Sequence, residues 1–388
     1  MYSEIKCQYP GFVGEPNIYV EDALSSSWGA QREKYQKLCE QELKNLTGRK
    51  YALMLSQGTA ALITSLKSLD LPPKTPVGVP AYSWISCASS IIHAGYSPVF
   101  LDIDEDSCVV GSKAIAQIRT ENLRHVMIVN MLGKQVASEL LAFCADNNIQ
   151  IIEDATHSLD WDNSYQQTKS ETSAGKVGIC SCFSFQATKT VTGGQGGALV
   201  TDCPDIYAKA LSLSRHGMNF KPNGRFYWST ELGDNIPISD FQCAIIYSQL
   251  LVLKEITKRR KRILQGYLDA YRNIRSDLFH LFPVFDSHDA VYLPLIRFNR
   301  IVDCSNGFVE SLVSLGSRQE WAFEMRPSSY PLHKMPTFKP YARDQDLSNS
   351  EDLAASSFIL PFGNKFPEGL QHAVLQRTVE MIRFILEQ

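Results

Sequence analysis

Short apolar runs alternate with helix-like segments from residue 51 to residue 201 of the chain. The apolar runs have the length of buried strands, and the segments between them carry apolar residues at helical spacing. The predicted strands are Tyr51–Leu55, Val77–Pro80, Pro98–Asp102, Val126–Asn130, Ile149–Glu153, Ile179–Phe185 and Ala198–Thr201. Strands separated by helices predict a mainly parallel, helix-covered sheet that binds its ligand beyond the carboxyl ends of the strands.

Three of the connecting segments are predicted to be helices. The first begins near Thr59, the second runs from Ser83 to Ala94, and the third runs from Glu139 to Asp146. Ser138 directly precedes the third helix, and a serine in that place can accept a hydrogen bond from a free backbone N–H. We therefore expect Ser138 to be the N-cap of this helix.

The remainder of the chain predicts a second, smaller domain. Residues Ser239 to Ile274 predict one long helical region, Ala290–Ile296 predicts a strand, and Leu370–Leu386 predicts a terminal helix. A chain of 388 residues is also long for a single core. The sequence therefore predicts a large domain over residues 1–250 and a small α+β domain over residues 251–388.

Composition and charge narrow the class of protein. The chain is 44% apolar and 20% charged, which is typical of a soluble globular protein. The net charge of -3 argues against a nucleic-acid partner, because the protein as a whole has no positive electrostatic field to attract phosphates. No apolar stretch has the length of a membrane span, and the start of the chain lacks the apolar region of a signal peptide. We therefore expect a cytoplasmic protein that binds neither nucleic acid nor a membrane.

The ten cysteines are spread along the chain and include no C-x-x-C pair. Cys87, Cys144 and Cys243 lie in apolar helical contexts, and Cys180 and Cys182 alternate along a predicted strand. This pattern favours reduced thiols over disulfides or a zinc site. The eight histidines include no H-E-x-x-H pair, so we predict no metal site.

One strongly basic run, Lys258–Arg262, lies within the long helical region. It could mark a nucleic-acid or nuclear-localisation segment. However, Ile256, Ile263, Leu264 and Tyr267 flank it at helical spacing, which favours a solvated face of an ordinary helix.

Lys189 is the main candidate for a catalytic residue. Lys189 is the last residue of the run Ser184–Lys189. The strand Ile151–Asp154 lies upstream of this run, and the glycine cluster Gly193–Gly197 lies downstream of it. An amine, a buried acid and a small pocket of Gly, Ser and Thr residues are what pyridoxal 5'-phosphate (PLP) requires of a protein. The amine would bond to the cofactor aldehyde, and the acid would keep the pyridine nitrogen protonated.

Nine segments resemble one known family in both order and spacing. They are Ser56–Leu62, Pro80–Trp84, Phe100–Asp104, Ile152–Ala155, Cys182–Lys189, Gly196–Ala198, Arg215–Gly217, Leu232–Asn235 and Tyr330–His333. They are similar to those of the DegT/StrS family of sugar-nucleotide aminotransferases. The resemblance implies PLP-dependent transferase fold type I, the aspartate-aminotransferase-like fold, with a mainly parallel sheet in the large domain.

The resemblance also implies which residues bind the cofactor. Gly58, Thr59 and Ser184 would bind the phosphate, Trp84 would stack on the ring, and Asp154 would hold the pyridine nitrogen. Considered alone, Gly58 and Thr59 favour a plain turn with an N-cap, Trp84 favours a core position, and Ser184 suits a strand serine equally well. Asp154 could cap the next helix, but the presence of Lys189 favours a role at the pyridine nitrogen.

Three histidine and asparagine roles follow from the resemblance alone. His157 would lie near the phenolic oxygen of the cofactor. Asn235 would reach across a homodimer interface to the phosphate of the partner subunit, and His333 would lie near the sugar nucleotide. Without the resemblance, each would be an ordinary helix or loop residue.

The chain departs from the family pattern at positions that bear on substrate shape. Gln195 stands where an acid is usual, Pro237 where an arginine is common, and Leu159 and Asp160 where a His-Gly pair is frequent.

The implied reaction is transfer of an amino group from L-glutamate to a nucleotide-linked keto-deoxysugar, in cell-surface polysaccharide or related amino-sugar biosynthesis. His157 and the missing His-Gly pair favour C4 over C3. Two alternatives stay open: a non-catalytic PLP-binding regulatory protein, and a PLP-dependent sugar dehydratase of the same fold. Lys189 favours amino transfer, because a histidine at this position would indicate the dehydratase branch.

Overall fold

A computed structural model describes residues 5–26, 34–218, 228–274, 276–299, 307–318, 321, 323–324 and 326–387. Within these residues, the larger sheet has seven strands in the spatial order β1-β7-β6-β5-β4-β2-β3. They are β1 (Tyr51–Leu55), β2 (Pro76–Pro80), β3 (Ser97–Leu101), β4 (His125–Val129), β5 (Gln150–Asp154), β6 (Cys180–Ser184) and β7 (Gly197–Thr201). Strands β2 to β6 pair in parallel, and β7 pairs antiparallel with both β1 and β6. The predicted parallel sheet is confirmed.

Helices cover both faces of this sheet and continue into the C-terminal part. They are α1 (Pro16–Ser26), α2 (Lys34–Thr47), α3 (Gly58–Lys67), α4 (Ile85–His93), α5 (Ser112–Thr120), α6 (Ser138–Asp146), α7 (Tyr165–Thr168), α8 (Pro204–Leu213), α9 (Asp240–Leu250), α10 (Leu253–Ile274), α11 (Phe308–Gly316), α12 (Ser348–Ala355) and α13 (Gln371–Leu386). Short 3-10 turns lie at Met131–Gly133, Leu332–Lys334 and Lys339–Tyr341. Most residues of these strands are apolar and buried, because helices cover the sheet on both faces.

A smaller antiparallel sheet lies in the C-terminal part. Its order is β10-β11-β9-β8, and its strands are β8 (Phe279–Phe282), β9 (Leu295–Phe298), β10 (Arg326–Pro327) and β11 (Ser357–Ile359). One apolar core extends from one face of the large sheet to this smaller sheet, and a second core lies under α1, α2 and α9. The division into domains at residue 250 stays a prediction.

Several details of the predicted elements are wrong. Helix α6 includes Ser138 as its first residue, and Ala137 occupies the cap position without any side-chain hydrogen bond. The long helical region is two helices, α9 and α10, separated at residues 251–252. Of the predicted strand Ala290–Ile296, only the end lies in β9, because Pro294 and the residues before it take an irregular path.

The basic run is only in part a solvated face of α10. Lys258 and Arg262 are exposed, but Arg260 is only 2% exposed. Its guanidinium donates hydrogen bonds to the backbone oxygens of Val291 and Tyr292 and to Asn364 Oδ1. Burial lowers the pKa of Arg260 to about 10. The run therefore includes one structural cation that joins α10 to the loop before β9.

Candidate active site

Carboxyl ends of neighbouring strands bring the predicted cofactor residues to one edge of the large sheet. Asp154 ends β5, Ser184 ends β6, and Gly58 begins α3 directly after β1. Lys189 lies in the loop that joins β6 to β7, and its backbone N–H donates to Gln186 O at 2.9 Å. Parallel strands that end together form a ligand-binding edge, so this is the expected place for a cofactor.

Gly58 and Ser184 form a small pocket at the N-terminus of α3. A methyl group on Gly58 would lie 2.8 Å from Ser184 Cβ and 3.0 Å from Ser184 Oγ. Helix α3 has no side-chain cap at Gln57, so the first backbone N–H groups of α3, including that of Thr59, have no cap partner. Free N–H groups, a hydroxyl and a space that a methyl group would fill suit a phosphate.

The Asp154 carboxylate is buried and held by two donors. Its Oδ1 accepts a hydrogen bond from Thr156 N at 3.0 Å, and its Oδ2 accepts one from Cys87 Sγ at 3.2 Å. Burial, followed by the charge of Asp154, raises the pKa of the Cys87 thiol well above its usual range. Cys87 therefore stays a protonated thiol and donates a hydrogen bond to the carboxylate.

The neighbouring acid, Glu153, faces the opposite side of the sheet because side chains alternate along a strand. Its carboxyl group accepts hydrogen bonds from Asn130 Nδ2, Gly175 N and Ser181 Oγ. Burial raises the pKa of Glu153. Glu153 is thus part of an internal polar network, and Asp154 is the acid that faces the cofactor edge.

Lys189 and His157 both contact the ring of Tyr292. The distance from Lys189 Nζ to the centroid of this ring is 4.9 Å. The His157 ring stacks on Tyr292 with centroids 4.1 Å apart and an interplanar angle of 14°. The site therefore includes an aromatic side chain that the sequence analysis did not identify.

His157 is neutral in this environment. Burial, followed by the positive charge of Lys189, lowers the pKa of His157 well below its usual value. Its Nδ1 accepts a hydrogen bond from Leu132 N at 3.2 Å. The proton of the neutral ring is consequently on Nε2, which leaves a donor for a ligand atom.

Trp84 lies at the rim of the site. It occupies the N-cap position of α4, and its backbone oxygen accepts a hydrogen bond from Cys87 N. Its side chain is 63% exposed. This helix thus connects Trp84 to Asp154 through Cys87, and an exposed aromatic face at this edge can stack on a flat ring.

The contacts of Asn235 and His333 are with residues other than Lys189, Tyr292 and His157. Asn235 is exposed and forms an isolated bridge with Arg215. His333 Nε2 lies 2.9 Å from Glu351 Oε1, and the His333 ring is 6.2 Å from that of Phe100. The subunit brings neither residue into contact with the residues around Lys189.

Tyr292, Cys87 and Arg260 were missed because their partners are distant in sequence. Tyr292 belongs to a segment predicted as a strand, and Cys87 belongs to a segment predicted as an apolar helix. Leu159 and Asp160, which depart from the family pattern, are both buried, and Asp160 Oδ1 accepts a hydrogen bond from Asp162 N. No local pattern marked Tyr292, whose hydroxyl lies 3.4 Å from Thr188 Oγ1, 104 residues away.

The side chains present fit PLP. The Gly58–Ser184 pocket suits the phosphate, Asp154 the pyridine nitrogen, His157 the phenolic oxygen and Lys189 the aldehyde. Within the residues that the structure describes, no group of three or more His, Cys, Asp or Glu side chains could hold a metal ion. In the same part of the chain, no helix is long and apolar enough to cross a membrane.

Comparison with known proteins gives consistent results. The sequence profile of the DegT/DnrJ/EryC1/StrS aminotransferase family matches residues 13–379. The chain is 31% identical over 360 residues to the spore coat polysaccharide biosynthesis protein SpsC of Bacillus subtilis, covering 90% of each chain. It is 25% identical over 379 residues to the GDP-perosamine synthase of Caulobacter vibrioides, covering 97% of each chain.

The fold is also similar to that of a solved structure, PseC of Helicobacter pylori, an aminotransferase involved in the biosynthesis of pseudoaminic acid. The TM-score is 0.87 at 20% sequence identity, with coverage of 98% of this chain and 100% of that one. The architecture is that of PLP-dependent transferases of fold type I. The chain belongs to the DegT/DnrJ/EryC1/StrS aminotransferase family and is a sugar aminotransferase that uses PLP as its cofactor.

Proposed function

We propose that the protein transfers an amino group from L-glutamate to a nucleotide-linked keto-deoxysugar, at C4 rather than C3. The observation that carries the proposal is the placement of Lys189 at the strand edge that also holds Asp154 and the Gly58–Ser184 pocket. The names of two relatives support the substrate class, since one is a GDP-perosamine synthase and one is a spore coat polysaccharide biosynthesis protein. The product would enter cell-surface polysaccharide or related amino-sugar biosynthesis.

PLP, when bound, supplies an electron sink for the negative charge that develops on the carbon next to the amino group. Asp154 would keep the proton on the ring nitrogen, and its two donors, Cys87 and Thr156, would keep its carboxylate in place. Lys189 would bind the cofactor and, once displaced by the donor amine, would move a proton at Nζ as general base and then general acid. His157 would donate a hydrogen bond from Nε2 to the phenolic oxygen.

The preference for C4 rests on His157 and on the residues that follow it. Leu159 and Asp160 stand where a His-Gly pair is frequent in the family, and both are buried. Two half-reactions at one site predict ping-pong kinetics. A panel of nucleotide-linked keto-sugars with L-glutamate, analysed by mass spectrometry and by NMR of the products, tests both the substrate and the aminated carbon.

We also propose a homodimer with shared active sites. Helices α1 and α9 pack together and expose apolar side chains, among them Ile18 and Leu24 of α1 and Phe241 of α9. Leu232, three residues before Asn235, is 95% exposed. Exposed apolar side chains, one of them three residues from Asn235, suit a two-fold interface at which Asn235 binds the phosphate of the partner subunit.

Sedimentation and subunit mixing test the dimer. Lys189→Ala and Asn235→Ala subunits would each be inactive alone. Mixed dimers would regain activity, since one of their two sites would have both residues intact. A fully active monomer, or mixtures that stay inactive although hybrids form, would contradict a role for Asn235 across the interface.

A cytoplasmic location is proposed from the state of the thiols. Within the described residues, Cys7, Cys39, Cys87, Cys108, Cys144, Cys180, Cys182, Cys203 and Cys243 are free. Cys304 lies outside those residues. Free buried thiols are typical of proteins from reducing compartments.

Two rival functions are separated by simple measurements. A sugar dehydratase of the same fold would release a deoxygenated sugar and would not transfer nitrogen from glutamate, which product analysis detects. A non-catalytic binding protein would keep the absorbance of bound PLP unchanged when glutamate is added. The aminotransferase converts that absorbance to the pyridoxamine phosphate band and releases 2-oxoglutarate.

A further inference from the structure

One aromatic side chain, Tyr292, contacts both Lys189 and His157. Lys189 Nζ lies 4.9 Å from the centroid of the Tyr292 ring, and the His157 ring stacks on it at 4.1 Å. Tyr292 is only 4% exposed. Lys189 is half-buried, so the contact is partly shielded from water, and the attraction between a positive amine and the face of this ring is stronger than it would be at the surface.

The position of Tyr292 is fixed by its backbone. Tyr292 N donates to Leu132 O at 3.2 Å, and Ala290 N donates to Gly133 O at 3.0 Å. Arg260, which lies in α10, donates a hydrogen bond to Tyr292 O. A methyl group on Gly133 would lie 1.8 Å from Ala290 O, so the two loops approach as closely as glycine allows. The ring therefore stands on a rigid support.

We propose that Tyr292 is a positioning residue that holds the protonated amine of Lys189 through a cation–π contact. The amine must leave the cofactor when the donor substrate binds, and it must then deliver a proton at a defined place. The ring of Tyr292 attracts Lys189 Nζ while it is charged and ceases to attract it when the proton has left. Tyr292 thus keeps the amine beside the reacting atoms in the interval between taking up the proton and delivering it. This inference rests on the use of PLP and is independent of the sugar.

A purely structural role for Tyr292 makes a different prediction from a cation–π contact. Packing depends on the volume and shape of the side chain, whereas the attraction for a cation depends on the negative charge over the face of the ring. Pentafluorophenylalanine in place of Tyr292 removes that charge and keeps a flat ring. Tyr292→Phe keeps the charge of the face and removes only the hydroxyl group that lies near Thr188.

The first measurement uses the full-length apoprotein and no substrate. Lys189 is labelled with trinitrobenzenesulfonate for timed intervals, and the labelled peptide is quantified by mass spectrometry. Since only the uncharged amine reacts, we expect the pentafluorophenylalanine protein to be labelled about tenfold faster than Tyr292→Phe, which corresponds to the loss of a desolvated cation–π contact. Equal labelling rates in these two proteins would overturn the proposal.

The second measurement uses the PLP-loaded proteins. The glutamate half-reaction is followed in a single turnover, with glutamate deuterated at Cα as a comparison. We expect Tyr292→Phe to resemble the wild type, and the pentafluorophenylalanine protein to show a lower rate constant and a larger isotope effect with an unchanged KM. A rise in KM alone would overturn a role in holding the amine.

Tyr271→Leu provides a matched control. Tyr271 lies in α10, and its ring packs on that of Phe279 in β8, so the substitution removes an aromatic contact of the C-terminal part that does not involve Lys189. We expect this variant to be less stable but to label Lys189 at the wild-type rate. If Tyr271→Leu changed labelling as much as the substitutions at Tyr292 do, the effect would come from general loosening of the C-terminal part, and the proposal would fail. The pentafluorophenylalanine protein and Tyr292→Phe both keep an aromatic ring, so their results can be compared without a change in side-chain class at this buried position.

Discussion

Gly58→Ala tests whether the pocket between α3 and Ser184 binds the cofactor phosphate. The added Cβ would lie 2.8 Å from Ser184 Cβ, whereas two carbon atoms prefer about 3.5–4.0 Å. Either Ser184 or the start of α3 must shift by roughly 1 Å, and such overpacking costs about 1–3 kcal/mol. Alanine is favoured over glycine in a helix by up to about 1 kcal/mol, which offsets part of that cost. The free energy of unfolding of the apoprotein should therefore change by no more than about 2 kcal/mol.

Affinity for PLP should fall by more than stability does. A hydrogen bond to a charged group is worth about 1.5–3 kcal/mol, so the loss of one such bond raises the Kd about 10- to 150-fold. The Kd is measured by titrating apoprotein with PLP and following absorbance, and stability is measured by urea unfolding of the same sample. The result to expect is a large rise in Kd with a small change in unfolding free energy.

Gly266→Ala is the matched control for this experiment. Gly266 lies within α10, and its added Cβ would meet Gln371 Nε2 at 2.6 Å, the end of a flexible side chain that can move. We expect its Kd for PLP to stay at the wild-type value. A Kd within about twofold of wild type for Gly58→Ala as well would refute the phosphate pocket.

Four further changes give separate tests. Lys189→Ala should abolish transamination and leave the circular dichroism spectrum unchanged; substantial turnover with glutamate would sink its assigned role. Asp154→Ala should slow the glutamate half-reaction about 100-fold or more, because a neutral pyridine is a poor electron sink; a rate within a few-fold of wild type would make Asp154 a cap for Thr156 N. Arg260→Met should lower the free energy of unfolding by about 3–5 kcal/mol, because three buried acceptors lose their donor. Arg262 is exposed on the same helix, so Arg262→Met should change the free energy of unfolding by less than about 0.5 kcal/mol. Equal effects of the two substitutions would contradict the structural role of Arg260. The pKa of His157 is lower in the folded protein, so below about pH 6.5 the unfolded chain binds a proton that the folded protein does not. The stability of the apoprotein should therefore fall as the pH drops below that value, and it should fall less in His157→Gln. Thermal midpoints that change in parallel for both proteins between about pH 7 and pH 5.5 would argue against a neutral buried imidazole.

The large sheet could be predicted from the sequence because each strand is a short apolar run bounded by turns. The ends of the predicted strands at Glu153 and Phe185 lie within one residue of the ends of β5 and β6 at Asp154 and Ser184, and Lys189 follows in the loop after β6. The break between α9 and α10 could not be predicted, since Leu251 and Val252 continue the apolar pattern without glycine or proline. Tertiary packing rather than local propensity decides that break, since α9 packs against α1 and α2 whereas α10 packs against α13.

Contacts between segments that are distant in sequence could not be predicted either. Cys87 donates to Asp154 across 67 residues, and a thiol in an apolar helix looks the same whether or not a carboxylate lies beside it. Tyr292 reaches Lys189 only because Gly133 lets its loop approach the segment before β9. The roles of Asn235 and His333, by contrast, came from the resemblance alone, and both stay predictions.

The network around Asn364 has a consequence for how the protein is made. Asn364 Nδ2 donates to Thr190 O, directly after Lys189, and to Gly11 O, while its Oδ1 accepts from Arg260. The loop that carries the lysine is thus tied to a residue near the C-terminus. A ribosome must therefore release nearly the whole chain before this loop takes its final form. Nascent chains that stop before residue 364 should form the large sheet without retaining PLP, so cofactor binding would report that synthesis has passed this residue.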